Sequence, residues 1–305
     1  MSGVRRSTLT GLVGQGIGPS LTPELHEREA ERQGLRYVYK TVDLVDDDVD
    51  PDRLGQLVRS AVRLGFDGLN VTHPVKQMTV PLVDRVSAEV AAVGALNTVV
   101  VTDGATVGHN TDLTAFERSF TDGLPGVSLA DVVLLGAGGA GTAVAHALVR
   151  LGVQRLRVVD PDRDRGAALV ESVQRLGSNA NVEVLDRSGL EAAMRDAAGL
   201  VNATPVGMAH HPGIPLPEEQ LRPTTWVADI VYRPLRTRLL RAAEALGCQT
   251  LSGAGMAVHQ AADAFELITG RAADRSAMFH DFDLLVAAEA DGEPMAREPS
   301  GERKQ

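Results

Sequence analysis

A run of glycines between an apolar stretch and an alanine-rich one restricts this chain more than any other feature. Leu134-Leu135 lead into Gly136-Ala137-Gly138-Gly139-Ala140-Gly141, and Thr142 to Leu151 follows as a helix. Gly136, Gly138 and Gly141 satisfy the spacing G-x-G-x-x-G. Alone that spacing is weak. Between a strand and a helix it has a mechanism. Gly136 permits the tight turn, Gly138 lets backbone approach a pyrophosphate, and Gly141 lets the helix pack on the strand. Free N–H groups at the helix start then face the phosphates. The plain alternative is a glycine-rich turn without a ligand, and the βαβ context argues against it.

The strand after that helix, Arg155 to Val159, ends at Asp160, 24 residues beyond Gly136. A carboxylate there accepts hydrogen bonds from adenosine ribose hydroxyls and repels a 2′-phosphate. That favours NAD over NADP. Arg163 and Arg165 follow, however, and an arginine can accommodate the extra phosphate. The bland reading of Asp160 is a turn residue before Pro161.

Further strand signals at Val182 to Val184, Gly199 to Asn202 and Trp226 to Asp229 extend this half into a run of βα units. A doubly wound sheet is expected. The first half also alternates. Strands are expected at Leu9 to Val13, Tyr37 to Asp43, Gly68 to Val71 and Thr98 to Val101. Helices are expected at Pro23 to Gln33, with Thr22 as N-cap, and at Pro51 to Leu64. Pro81 to Val93 reads as partly helical. Such alternation implies a parallel or mixed sheet. The fold class is therefore α/β, and 305 residues suffice for two domains. Aromatics are only 3%, so the core is built from Val, Leu, Ile and Ala, which suits strands buried on both faces.

Composition excludes several function classes. A net charge of -10 disfavours binding to a phosphate backbone, so no nucleic-acid partner is expected. An acidic substrate must be held by local donors. The single cysteine, Cys248, rules out an intrachain disulfide and a cysteine metal site, and fits a reducing cytoplasm. The eight histidines show no ligand spacing, so no metal is implied. No apolar stretch follows Arg5-Arg6 as an export signal would require. The longest apolar run, Val132 to Ala145, is too short to span a bilayer, so no membrane is expected. The stretch from about Glu289 to Gln305 is polar and aperiodic, and disorder is expected there.

Polar clusters in the first half sit at strand ends or connections, where α/β sheets place their sites. They are Ser20-Leu21-Thr22-Pro23, Asn70-Val71-Thr72-His73-Pro74-Val75-Lys76, Gly94-Ala95-Leu96-Asn97-Thr98 and Gly108-His109-Asn110-Thr111-Asp112. Asn202-Ala203-Thr204-Pro205-Val206-Gly207-Met208 and Gly255-Met256, leading to Gln260, follow in the second half. In this order, from about Leu12 to Gly270, the motifs resemble the shikimate dehydrogenase family, and within it the NAD-dependent quinate/shikimate branch.

The resemblance implies an N-terminal substrate domain, a Rossmann-type NAD-binding domain and an active-site cleft between them. The expected division is 1–112 for substrate, joined by C-terminal helices at about 256–288, with 113–255 for the dinucleotide. It implies Lys76 and Asp112 as the catalytic pair. Oxidising a secondary alcohol needs a base for the hydroxyl proton as hydride leaves the same carbon. A lysine serves when neutral or when it relays through a carboxylate, and which of the two takes the proton stays open. The bland readings are a solvated lysine and a helix N-cap. Ser20, Thr22, Thr72, Asn97 and Gln260 would hold the substrate, hydroxyls donating to its carboxylate and amides reading its ring hydroxyls. The family's usual Ser-x-Ser is here Ser20-Leu21-Thr22, which reshapes the carboxylate end. Gly136, Ala137, Gly138, Gly139, Ala140, Asp160 and Arg165 would hold the adenosine and phosphates. Ala203, Thr204, Pro205, Met208 and Gly253 would complete the cofactor site. Trp226 and Tyr232 read as core or loop packing, with Tyr232 within reach of the cleft.

The reaction so implied is oxidation of the C3 hydroxyl of quinate or shikimate with NAD, by a monomer or homodimer. Two alternatives stand beside it. One is an NADP-dependent shikimate dehydrogenase of aromatic biosynthesis. The other is a non-catalytic nucleotide sensor, which would be expected to lose Lys76 or Asp112.

Overall fold

A computed structural model describes residues 7–290. Two six-stranded sheets carry the architecture. The first is built from β1 (Thr8–Gly14), β2 (Tyr37–Asp43), β3 (Gly68–Val71), β4 (Arg85–Val86), β5 (Thr98–Thr102) and β6 (Ala105–His109). Its order is β2-β1-β3-β5-β6-β4, and it is mixed: β5 runs antiparallel to both β3 and β6. Helices α1 (Thr22–Arg32), α2 (Pro51–Arg63) and α3 (Ala88–Val93) connect these strands. Helix α4 (Asp112–Gly123) leads into the second sheet.

The second sheet comprises β7 (Asp131–Leu135), β8 (Arg155–Val159), β9 (Asn181–Leu185), β10 (Gly199–Asn202), β11 (Trp226–Asp229) and β12 (Thr250–Leu251). Its order is β12-β11-β10-β7-β8-β9, all parallel. The order reverses between β7 and β10, at the glycine turn after β7. Helices α5 (Gly139–Arg150), α6 (Arg163–Gln174), α7 (Leu190–Asp196) and α8 (Arg238–Ala245) make the crossovers. Then α9 (Ala254–Thr269) and α10 (Arg275–Ala290) return to the first sheet, where Val258, Ala262, Met278 and Phe282 pack on Leu21 and Leu25 near α1.

Local chemistry explains the boundaries. Asp50 caps α2, its carboxylate accepting from Asp52 N–H at 3.0 Å and Arg53 N–H at 3.1 Å, with Pro51 first in the helix. Strands β3, β10 and β11 are buried throughout, as expected between two helix layers. One core continues across both halves: Phe116 and Phe120 of α4 join Val93 and Ala95 of the first sheet's side to Ala143 and Val144 of α5. Helix α4 is thus a shared wall.

Several expectations are corrected. Thr22 is not the N-cap of α1 but its first residue; Leu21 occupies the cap, and Ser20 Oγ accepts from Thr22 N–H at 3.3 Å. Asp112 likewise opens α4 instead of capping it, because its oxygens are engaged elsewhere; Asn110 Oδ1 accepts from Leu113 N–H at 3.2 Å. Glu289 and Ala290 belong to α10, and Glu289 pairs with Arg233 at 2.5 Å. The remainder of the expected tail, and Arg5-Arg6, lie outside the described residues. Among the described residues no helix is long and apolar enough to cross a membrane.

Candidate active site

Three loops of the first sheet are stitched together by their own backbone. Lys76 carbonyl accepts from Leu96 N–H at 3.1 Å, Asn97 N–H donates to His109 carbonyl at 3.0 Å, and Val71 N–H donates to Asn97 carbonyl at 2.8 Å. That stitching brings Lys76, Asn97 and Asp112 to one point. Lys76 Nζ lies 2.5 Å from Asp112 Oδ2. Asn97 Nδ2 donates to Asp112 Oδ1 at 2.9 Å and to Thr111 Oγ at 2.8 Å. Both carboxylate oxygens are therefore held by donors. Lys76 is half-buried, so its ammonium is neither a free surface charge nor sealed in the core.

The glycine turn of the second sheet comes to the same point. A Cβ on Gly139 would sit 3.4 Å from Cβ of Lys76 and 3.4 Å from Cβ of Ala95. Behind the turn, a Cβ on Gly141 would lie 2.1 Å from Gly136 carbonyl oxygen, so only glycine lets α5 start so close. Gly138 is different. A Cβ there meets nothing within 4 Å and its φ is -72°, so neither packing nor backbone demands a glycine. The residue faces an open cradle at the uncapped start of α5, alongside Gly139 and Ala140. The N–H groups there form a donor set that suits a pyrophosphate. A dinucleotide fits these residues.

Asp160 stands at the end of β8. Its Oδ2 accepts from Ala137 N–H at 2.7 Å and its Oδ1 from Asp162 N–H at 2.8 Å. The carboxylate is thus fixed against the turn. Arg165 bonds Asp162 at 3.0 Å and reaches within 3.8 Å of Asp160, while Arg163 is paired with Asp186. On the far side, Asn202 organises the next turn: its Oδ1 accepts from Thr204 N–H at 3.1 Å and Thr204 hydroxyl at 2.7 Å. Pro205 carbonyl accepts from Met208 N–H at 3.1 Å, and Ala203 packs against Gly136. Asn202 is itself anchored to Asp229 at 2.9 Å, which also accepts from Val231 N–H at 3.0 Å and Thr237 hydroxyl at 2.7 Å. Burial pushes the Asp229 carboxyl up to about 6 despite those donors. Gly253 is the N-cap of α9 and lies against Ile230, whose carbonyl oxygen would lie 2.3 Å from a Cβ there. Close packing accounts for that glycine.

The remaining expected substrate contacts are placed less directly. Ser20 sits just ahead of α1 and Thr72 just past β3, both half-buried. Gln260 amide donates to Ala257 carbonyl at 3.1 Å, and its backbone carbonyl accepts from Thr111 hydroxyl at 3.2 Å. Tyr232, just past β11, packs beside Phe282 with ring centroids 6.3 Å apart; burial raises its phenol, and Ser20 in the loop after β1 opposes that. His73 stands on the rim. Burial lowers it, and the nearby Lys76, His211 and Arg165 push the same way. Among the described residues no group of three or more His, Cys, Asp or Glu is placed to hold a metal ion.

Comparison with known proteins finds matches along most of the chain. Residues 12–99 match the shikimate dehydrogenase substrate binding domain, and 253–278 the shikimate 5'-dehydrogenase C-terminal domain. Residues 109–163, spanning the glycine turn, match the ThiF family. A shikimate dehydrogenase (NADP(+)) of Streptomyces avermitilis is 54% identical, covering 93% of this chain and 98% of its own length. A quinate/shikimate dehydrogenase (NAD(+)) of Corynebacterium glutamicum is 47% identical, covering 90% and 98%. The structure of quinate dehydrogenase from Corynebacterium glutamicum in complex with NAD superposes with a TM-score of 0.83 at 46% identity, covering 91% of this chain and 99% of that one.

Proposed function

The chain belongs to the shikimate dehydrogenase family, and from that premise we propose that it catalyses the reversible, NAD-dependent oxidation of the C3 hydroxyl of quinate or shikimate. It is an oxidoreductase of the shikimate/quinate dehydrogenase type that uses a nicotinamide cofactor. The observation that carries the finer reading is the Lys76–Asp112 pair, 2.5 Å apart, facing the phosphate-type turn at Gly139.

When bound, the nicotinamide supplies the hydride acceptor. The rest falls to side chains. Lys76 and Asp112 hold the reacting hydroxyl and take its proton as the carbonyl forms, and return it in reduction. Asn97 orients Asp112, its amide being taken up by Asp112, Thr111 and Thr98. Ser20, Thr22, Thr72, Gln260 and Tyr232 bind the acid's carboxylate and ring hydroxyls, offering the local donors that an acidic chain needs. Burial of the pair against the glycine turn keeps bulk water from competing for the proton.

Asp160 supports NAD. Its carboxylate is fixed at the end of β8, where a 2′-phosphate would add like charge. Two observations favour NADP instead: Arg165 is exposed and within 3.8 Å of Asp160, and the relative at 54% identity is named an NADP(+) enzyme. The cofactor domain is taken as 113–255 and the substrate domain as 1–112 with 256–288, in a cytoplasmic monomer or homodimer. A sensor without catalysis is disfavoured because the catalytic pair is intact and assembled. The test is an absorbance assay of quinate and shikimate, each with NAD and NADP. Turnover preferring NAD supports the proposal. Preference for NADP overturns the Asp160 argument, and no turnover with any pair overturns the substrate class.

A further inference from the structure

Behind the catalytic pair runs a chain of buried polar groups that ends at a tyrosine. Tyr39 OH lies 2.7 Å from Asn70 Oδ1; Asn70 Nδ2 lies 3.1 Å from Thr98 Oγ; Thr98 Oγ lies 3.2 Å from Asn97 Oδ1. Asn97 Nδ2 then reaches Asp112 at 2.9 Å. Tyr39, Asn70, Thr98, Asn97 and Asp112 are 1%, 3%, 0%, 3% and 4% exposed, so water does not break in. Two backbone groups set the direction of every link. Asn97 carbonyl, which can only accept, faces Asn70 Nδ2 at 3.5 Å, so Asn70 oxygen must face Tyr39 and the phenol must donate. Thr111 N–H, which can only donate, meets Asn97 Oδ1 at 2.8 Å, so Asn97 nitrogen must face Asp112. Thr98 hydroxyl, accepting from Asn70, has only donation left toward Asn97.

The geometry points to Tyr39 as a positioning residue: through Asn70, Thr98 and Asn97 it holds Asp112, and hence Lys76, in the orientation needed for proton transfer. This inference rests on Lys76 and Asp112 being the catalytic pair. Every donor along the chain points toward Asp112, and none points back. Burial holds the Tyr39 phenol well above its ordinary range, so it stays protonated and remains a donor wherever the enzyme works. Removing that first donor leaves Asn70 oxygen buried without a partner and frees the amide to turn.

Tyr39→Phe tests it, with Tyr37→Phe as control. Tyr37 lies in the same aromatic cluster, ring centroids 6.5 Å from Tyr39, but its hydroxyl meets Thr10 and His26 instead. Tyr39→Phe is expected to lower kcat roughly 3- to 10-fold with KM for the acid little changed, and to move the pH profile of kcat. Tyr37→Phe is expected to leave both alone. Thr98→Val should lower kcat similarly, and the double variant should lose no more than the larger single loss. A second readout needs no turnover. The chain has three lysines, Lys40, Lys76 and Lys304. Reductive methylation with isotope-labelled formaldehyde therefore gives a resolvable Lys76 signal, which Tyr39→Phe should displace and Tyr37→Phe should not. A wild-type pH profile and an unmoved Lys76 signal in Tyr39→Phe overturn the inference, as do equal effects from both tyrosines or additive losses. Wild-type protein inactive on both acids overturns the substrate class, while the lysine signal still tests the chain.

Discussion

The two sheets prepare their chemistry in opposite ways. The first sheet presents side chains that are tied to one another: Lys76 and Asn97 both hold Asp112. The second presents backbone that is left open: Gly138 and Gly139 front a helix start with no side-chain cap. A proton-transfer site needs angles fixed in advance. A phosphate cradle needs vacant donors and no side chain in the way. Damage to the first sheet's site should therefore appear in the chemical step, and damage to the second in cofactor binding.

The largest effect expected is on the pair itself. Lys76→Ala or Asp112→Asn should lower kcat roughly 10²- to 10⁴-fold while leaving cofactor affinity nearly unchanged, measured by steady-state kinetics and calorimetric titration. A matching loss of cofactor affinity would break the comparison. Next comes the cradle. Gly138→Val should weaken cofactor binding roughly 10- to 100-fold with little change in Tm, because its side chain enters open space. Gly141→Val, by contrast, collides with Gly136 and should lower Tm as well.

Asp229 sharpens the picture through pH. Its carboxyl, raised to about 6 in the fold, holds a proton that an unfolded aspartate has released by about 3.8. Between those values the native state binds more protons, so this group's contribution to stability falls as pH rises. The loss amounts to at most about 3 kcal/mol. Chemical denaturation at pH 4 and pH 7 should show Asp229→Asn losing less stability than wild type on going up. An identical slope would remove Asp229 as the titrating group. Last and smallest, Asp160→Ser should raise the NADP-to-NAD ratio of kcat/KM roughly 10-fold, since one like charge is lifted from the 2′ position. An unchanged ratio would assign the discrimination elsewhere.

Legibility in the sequence followed burial. Strands β8, β10 and β11 fall on the expected residues, because each carries a short apolar core of strand-forming residues between turn signals, even where Arg155 and Arg157 interrupt β8. Strand β6 was not expected. Ala105 to His109 is short and mixed, yet Asp103 and Gly104, with φ of 52° and 81°, form a tight hairpin turn, and an Asp-Gly pair between two strands was the available signal. The Lys76–Asp112 pair, proposed above as catalytic, was legible through its motifs. Tyr39 was not, because a tyrosine in an edge strand carries no local mark of a hydroxyl that meets Asn70, 31 residues away. The same holds for Tyr232 and Ser20, which only the fold brings together.

One consequence of Gly139 concerns size. With a bare hydrogen there, the cofactor turn rests against the lysine stem; a methyl would still fit at ordinary contact distance. Anything bulkier acts as a doorstop between the two halves. Substituting Ala, Val and Leu in turn at this one position grades how near the turn can sit to Lys76, and so offers a dial on that spacing without touching a single group that bonds to the proton.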